Sequence, residues 1–165
     1  MRRTEPTAAV LADCIQLTDP ATPGPNAFIG TLLPRILKAD HIAIGHDGHE
    51  RSAACADQFA RHAVHGGFAT DNGFTWHRPI IHLHGISTLR QLLAAVAPAG
   101  YAAMVTTPDD ATCTELRLYA ADGTAVTEET GLGDLRARLA TGRPALPVNS
   151  QCIGMIIDHR KKGTP

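Results

Sequence analysis

Two hydrophobic rhythms alternate along the chain. Ile42-Ala43-Ile44 is a short continuous apolar run that ends at Gly45 and gives way to a polar turn, His46-Asp47-Gly48-His49-Glu50-Arg51. After Ser52, a residue suited to an N-cap, Ala56, Phe59, Ala60, Ala63 and Val64 recur at intervals of three and four until Gly66-Gly67. That spacing predicts a helix with one apolar face and a glycine stop. The succession then repeats. Pro79 to His84 reads as a strand, and Ser87 can cap a helix faced by Leu89, Leu92, Leu93 and Val96, which Pro98 and Gly100 end. Tyr101 to Thr106 is a largely apolar run of the kind that fills a buried strand. Leu116, Leu118 and Ala120 alternate with Glu115, Arg117 and Tyr119, which predicts a strand with one wet face at the edge of the sheet, turned by Asp122-Gly123. Helices flank this set at both ends. Asn26 can cap one with Ile29, Leu32, Leu33 and Ile36 on its buried face and Pro34 as a kink or restart; Thr130 leads into another built on Leu132, Leu135 and Leu139.

A strand, a turn and a helix repeated in this order form parallel βαβ units. The expected fold is therefore α/β, a three-layer αβα arrangement with a mostly parallel four-stranded sheet and an antiparallel edge strand. With 165 residues one domain is expected, at 26–142. Prolines between Thr18 and Pro25 make 1–25 an irregular arm, and 143–165 is a tail with one more apolar patch, Ile153 to Ile157, a candidate contact for homo- or hetero-oligomer formation. Phe68 to Arg78 reads as a polar loop with a turn at Asp71-Asn72-Gly73 and the only tryptophan, Trp76.

Charge and cysteine content narrow the classes. A formal net charge of −1, with no basic block beyond Arg160-Lys161-Lys162, gives no reason to expect a nucleic-acid partner. No apolar run approaches the roughly 18 residues of a membrane span, and Met1-Arg2-Arg3 is not followed by an apolar signal core, so a cytoplasmic location is expected. Cys14, Cys55, Cys113 and Cys152 lie far apart and form no C-x-x-C pair, which points to reduced thiols rather than a zinc knuckle or redox dithiol.

In open α/β sheets ligands sit beyond the carboxyl ends of the strands. His46, Asp47, His49 and Glu50 follow the first strand of the pattern, His82 and His84 close the second, and Asp109-Asp110 follow the third. His46, His49 and His84 are the candidate ligands of a divalent metal, the alternative to a protein without cofactor. His82 and His84 share one strand face by the period of two. The plainer reading leaves His46 and His49 on a solvated turn, and His62 and His65 on a helix surface.

The order of these pieces resembles the first domain of the phosphohexomutases, the phosphoglucomutase and phosphomannomutase family, over roughly residues 27–141. His41 to Ser52, HIAIGHDGHERS, is similar to the family's V-V-V-G-R-D-G-R-x-S-S. Tyr101 to Tyr119 looks like the segment ending G-I-M-V-T-A-S-H-N-P and resuming N-G-x-K. Ala121 to Leu139 is similar to the D-A-D-G-x-x-L continuation into a helix, and Gly85 to Leu92 to G-x-x-P-T-P-x-L. The resemblance implies a phosphosugar pocket lined by His46, Asp47, His49, Thr106, Thr107 and Arg117. It also implies a phosphoserine in the central loop, where Pro108 stands instead. Thr106 and Thr107 carry hydroxyls one or two residues away, as the candidate catalytic residues that remain, and Arg117 aligns with the family's lysine across a one-residue gap. The family's metal loop and phosphate-gripping loop belong to other domains. The expectation is a degenerate, stand-alone relative without the catalytic serine: a non-catalytic module that binds a phosphosugar or a protein partner. Two enzymatic alternatives are a mutase subunit completed by a separate chain and a histidine-based, metal-dependent activity.

Overall fold

Among the described residues the apolar rhythm becomes a seven-stranded sheet with four α-helices. The computed structural model describes residues 9–21, 25–69, 76–96, 100–108, 113–141 and 153–160. Their elements are, in order, β1 (Ala9–Val10), β2 (Ile15–Leu17), α1 (Pro25–Leu37), β3 (His41–His46), α2 (Glu50–Ala63), β4 (Phe68–Ala69), β5 (Trp76–His77), β6 (Ile80–Ile86), α3 (Leu89–Ala95), β7 (Tyr101–Thr106), β8 (Thr114–Ala120), α4 (Leu132–Ala140) and β9 (Met155–Asp158). The turn expected at Asp71-Asn72-Gly73, the acids Asp109-Asp110, Cys152 and the Lys161-Lys162 end of the basic tail lie outside the described residues.

Strands run in the order β1-β2-β8-β7-β3-β6-β9, and β7, β3, β6 and β9 form a parallel block. The expected core of the sheet is present, and its limits are corrected. Strand β8 is not the edge, because β2 pairs antiparallel with it (Ile15 opposite Leu116) and β1 lies outside β2. The opposite edge is β9, parallel to β6 with Ile81 opposite Ile156. One edge thus comes from the segment read as an arm and the other from the segment read as a tail. Strands β4 and β5 make a separate two-stranded ribbon, in which the Phe68 ring stacks on His77.

Helices α1, α2 and α4 cover one face, where Ile29, Leu33, Phe59, Ile42, Ile44, Ile81, Val105, Leu116 and Leu135 make the main core. Each isoleucine or leucine buried there contributes about 2 kcal/mol relative to exposure. Glycine allows the tight fit of α1 on α2, since a Cβ at Gly30 would stand 2.7 Å from His62 Cβ and 3.3 Å from the Phe59 carbonyl oxygen. Among the described residues the other face carries only the short α3, whose Leu92 packs on Ala43 and Ala102 over β3 and β7.

Side-chain capping differs from the pattern-based expectation in three places. His49, not Ser52, caps α2, its Nδ1 accepting from the Arg51 N–H at 3.1 Å. Thr88, not Ser87, caps α3 in a reciprocal box with Gln91. Asn26 lies within the first turn of α1 and is buried, and its amide fastens the chain after β2: it accepts from Thr18 N–H and hydroxyl, and donates to the Thr18 carbonyl and to Gln58. No described helix is long and apolar enough to cross a membrane.

Candidate functional site

From β3 the chain passes through α2 to β6 on one side, and from β6 through α3 to β7 on the other side of β3. The connections therefore diverge at the carboxyl ends of β3 and β7, where an open α/β sheet forms its binding crevice. The turn His46-Asp47-Gly48-His49 follows β3 and Thr107 follows β7, so four of the six candidate pocket residues come together: His46, Asp47, His49 and Thr107.

Their polar atoms are turned on one another. Asp47 accepts from the Thr107 N–H at 2.8 Å through Oδ2 and from the His49 N–H at 3.0 Å through Oδ1. Burial alone would raise this carboxyl, but those two N–H groups and the Ser52 hydroxyl outweigh it and hold its pKa low. The Thr107 hydroxyl sits between Ser52 Oγ at 2.7 Å and Thr114 Oγ1 at 2.9 Å, and all three residues are buried. His46 is buried rather than on a solvated turn, and its Nδ1 accepts from the Gly48 N–H at 3.0 Å. That bond fixes the neutral tautomer with hydrogen on Nε2. Gly48 has φ +90, a backbone conformation in which the tight return of the turn favours glycine.

The remaining candidates lie elsewhere. Thr106 is still within β7, opposite Glu115. Arg117 is mid-strand in β8, opposite Met104, and pairs with Glu115 at 3.2 Å and Asp13 at 3.7 Å. The three candidate metal ligands do not assemble either: His46 ends β3, His49 caps α2, and His84 lies in β6. Among the described residues no group of three His, Cys, Asp or Glu side chains is arranged to hold a metal ion. Cys14 and Cys55 are buried, and burial is the largest cause raising both thiol pKa values, so they remain protonated and poor nucleophiles.

Two groups of residues escaped the sequence reading. Ser52 and Thr114 complete the hydroxyl chain with Thr107, and no periodicity marks a hydroxyl that faces another element. The second group is a set of histidines on the α3 side of the sheet. His41 Nδ1 lies 3.2 Å from His82 Nε2, and His82 Nδ1 lies 3.0 Å from His159 Nε2. The His84 ring stacks on His159 at 4.4 Å between centroids, and its buried Nε2 has no hydrogen-bond partner. The period of two announced His82 beside His84; His41 and His159 join them only through strand pairing.

Acid sensitivity follows from these positions. Burial is the largest cause lowering the pKa of His46, His62, His82 and His84. The unfolded chain takes up these protons near pH 6.5, above the point at which the folded protein does. Stability of the metal-free protein is therefore expected to fall as pH drops below about 6.5, and to level off below the folded values. Asp47 adds a second loss below about pH 3.9, as its carboxylate is protonated. Urea midpoints at pH 8, 6, 5 and 3 check this; a midpoint that stays constant or rises from pH 8 to 5 refutes it.

No protein-family model matches the sequence, and no curated protein matches it. The chain is thus defined by its architecture, a mixed α/β protein built on a parallel four-stranded block, and by an internally bonded crevice.

Proposed function

We propose that this chain is a non-catalytic protein-interaction module, a degenerate relative of the phosphohexomutase first domain, which docks a second copy of itself along the outer edge of β9. The observation that carries this reading is the edge itself. Met155, Ile156 and Ile157 are 56%, 40% and 38% exposed, Ile153 beside them is 39% exposed, and among the described residues nothing pairs with the outer side of β9. Soluble proteins protect such edges with lysine, proline or a bulge, and Met155–Asp158 contains none of these. The only charge, Asp158, is already held by Arg160 at 2.9 Å.

The strand is also complementary to itself. An antiparallel pair with its two-fold axis between Ile156 and Ile157 sets Ile156 against Ile157 of the second copy and Met155 against Asp158 of the second copy. No like charges then oppose each other. Catalysis by the candidate residues finds no support in the crevice, because the Thr107 hydroxyl and the Asp47 carboxylate are engaged within the protein. The phosphosugar alternative would require Arg117 to leave two carboxylates.

Sedimentation velocity of the full chain tests the proposal. A dimer dissociating in the 10 µM range, about −7 kcal/mol, is expected, with Met155→Lys and Ile156→Lys weakening it at least about tenfold. Far-UV circular dichroism and melting temperature should stay close to wild type, which separates loss of docking from loss of fold. A wild-type protein that stays monomeric at about 200 µM, or lysine variants that dimerise as well as wild type, would sink the reading. Capture of a foreign β-strand peptide by such a monomer would assign the edge to a different partner. Titration with glucose 1,6-bisphosphate is expected to give no saturable heat; one-to-one binding lost in Arg117→Ala would instead favour the phosphosugar reading.

A further inference from the structure

The histidines on the α3 face have a chemistry that neither the crevice nor the edge uses. They come from two strands and the end of a third: His41 from β3, His82 and His84 from β6, and His159 directly after β9. All are partly exposed, and α3 packs over β3 and β7 rather than over β6 and β9. Their arrangement is anchored on both sides. The His159 N–H donates to the Leu83 carbonyl at 2.9 Å, continuing the β6–β9 ladder by one bond. Arg160 then binds Asp57 of α2 at 2.8 Å, so the segment after β9 is tied to both faces of the sheet. The ladder between β3 and β6 also slips here: Ile44 is opposite Leu83 and Gly45 opposite Gly85, which leaves His84 as a bulged residue without a partner in β3.

An imidazole pair in direct contact shares one proton, and the nitrogens of such a pair are positioned for a different occupant. Two histidine nitrogens bound to one ion at about 2.0–2.1 Å, with an angle of about 90–109° between them, lie roughly 2.9–3.4 Å apart. The 3.0 Å separation of His82 Nδ1 and His159 Nε2 falls within that window. The His41–His82 separation of 3.2 Å does too, but it uses the other nitrogen of His82 and joins two strands already paired along their length. At the His82–His159 pair, by contrast, His84 is stacked against His159 and its Nε2 has no partner, an unusual state for a buried polar atom.

We propose that His82 Nδ1 and His159 Nε2 form a two-point clamp for a late first-row divalent ion, Cu²⁺, Ni²⁺ or Zn²⁺, with the His84 ring stacked behind His159 as its support. The ion displaces the shared proton and each ring tilts, because the metal sits off the line joining the two nitrogens. Water fills the remaining positions. Imidazole-only ligation selects this group of ions and gives Mg²⁺ and Ca²⁺, which require oxygen donors, nothing to bind. Cu²⁺ should be held most tightly, by the Irving–Williams order. Because one ligand lies in β6 and the other follows β9, the bound ion also ties the edge strand to the sheet. The clamp is independent of self-docking and stands or falls separately from it.

Calorimetric titration of the full, metal-stripped chain at pH 7.5 with Cu²⁺, Ni²⁺, Zn²⁺ and Mg²⁺ tests the clamp. One equivalent of Cu²⁺ bound with micromolar or tighter Kd is expected, with no Mg²⁺ binding. His82→Asn and His159→Asn should each weaken Cu²⁺ at least about tenfold, while His65→Asn leaves it within about twofold. Asparagine keeps a polar side chain at each site. His159 follows the last strand, so its variant keeps the fold even if His82→Asn does not. Hydrogen exchange gives a second readout: amides 155–158 should exchange more slowly with one equivalent of Cu²⁺ than without. Millimolar affinity, equal binding by the wild type and His159→Asn, or loss of binding in His41→Asn but not in His159→Asn would overturn the proposal.

Discussion

Thr107→Val is expected to lower the unfolding free energy by about 1–3 kcal/mol, a large effect for removing one hydroxyl. Valine fills nearly the same volume, so packing changes little. The loss comes from the neighbours: Ser52 Oγ and Thr114 Oγ1 both bond to the Thr107 hydroxyl, and both residues are completely buried. Two buried hydrogen bonds disappear, at about 0.5–1.5 kcal/mol each, while the Ser52 hydroxyl keeps the Asp47 carboxylate and the Thr114 hydroxyl keeps the Cys55 thiol. Ser52→Ala removes one end of the same chain together with its bond to Asp47, so its cost should be similar. Urea unfolding of both variants gives the comparison. Were Thr107→Val to unfold at the wild-type midpoint, the hydroxyl would be dispensable to the fold and available for chemistry after all.

Asn26→Ala should cost more, about 2–5 kcal/mol, and should act on a different region. The amide makes four hydrogen bonds, three with Thr18 and one with Gln58, in a buried setting. Alanine there leaves the backbone of Thr18 and the Gln58 carbonyl oxygen without those partners. Since Thr18 directly follows β2, native-state hydrogen exchange should show β1 and β2 losing protection before β3, β6 and β7. Uniform loss across all strands, or a stability within about 0.5 kcal/mol of wild type, would contradict this role. The same amide shows how a residue can be located by pattern and misread in purpose: a polar residue ahead of an apolar helix face resembles a cap, and only packing shows that it faces inward.

The hydrophobic pattern identified the interior of the sheet because burial of the face under α1, α2 and α4 demands it. Ile42 and Ile44, Ile81 and Leu83, Ala103 and Val105, and Leu116 and Leu118 are all buried, and all belong to expected strands. The helices on Ile29, Leu33, Phe59, Leu92 and Leu135 were legible for the same reason. The two ends were not. Strands β1 and β2 have two and three residues, too few for a period to register, beside prolines that suggest an arm. Strand β9 has four, and its apolar residues stay exposed at an edge, so no alternation between wet and dry faces marks it.

For the candidate site, local sequence placed His46, Asp47 and His49 at the carboxyl end of β3, because a strand that ends in a glycine-containing turn before a helix puts its polar residues there. It did not determine what they do. Whether Thr107 is a free hydroxyl or the middle of a buried chain depends on Ser52 and Thr114, 55 and 7 residues away. Whether Arg117 faces a ligand depends on Asp13 and Glu115. Whether four histidines scattered from 41 to 159 are separate surface groups or one contiguous array depends on which strands pair and in what register. The sequence by itself determined the elements and their apolar faces, since burial selects residue types locally. Tertiary structure decided the edges, the partners of the polar atoms and the gathering of the histidines, since those depend on hydrogen bonds and strand neighbours that no local spacing encodes.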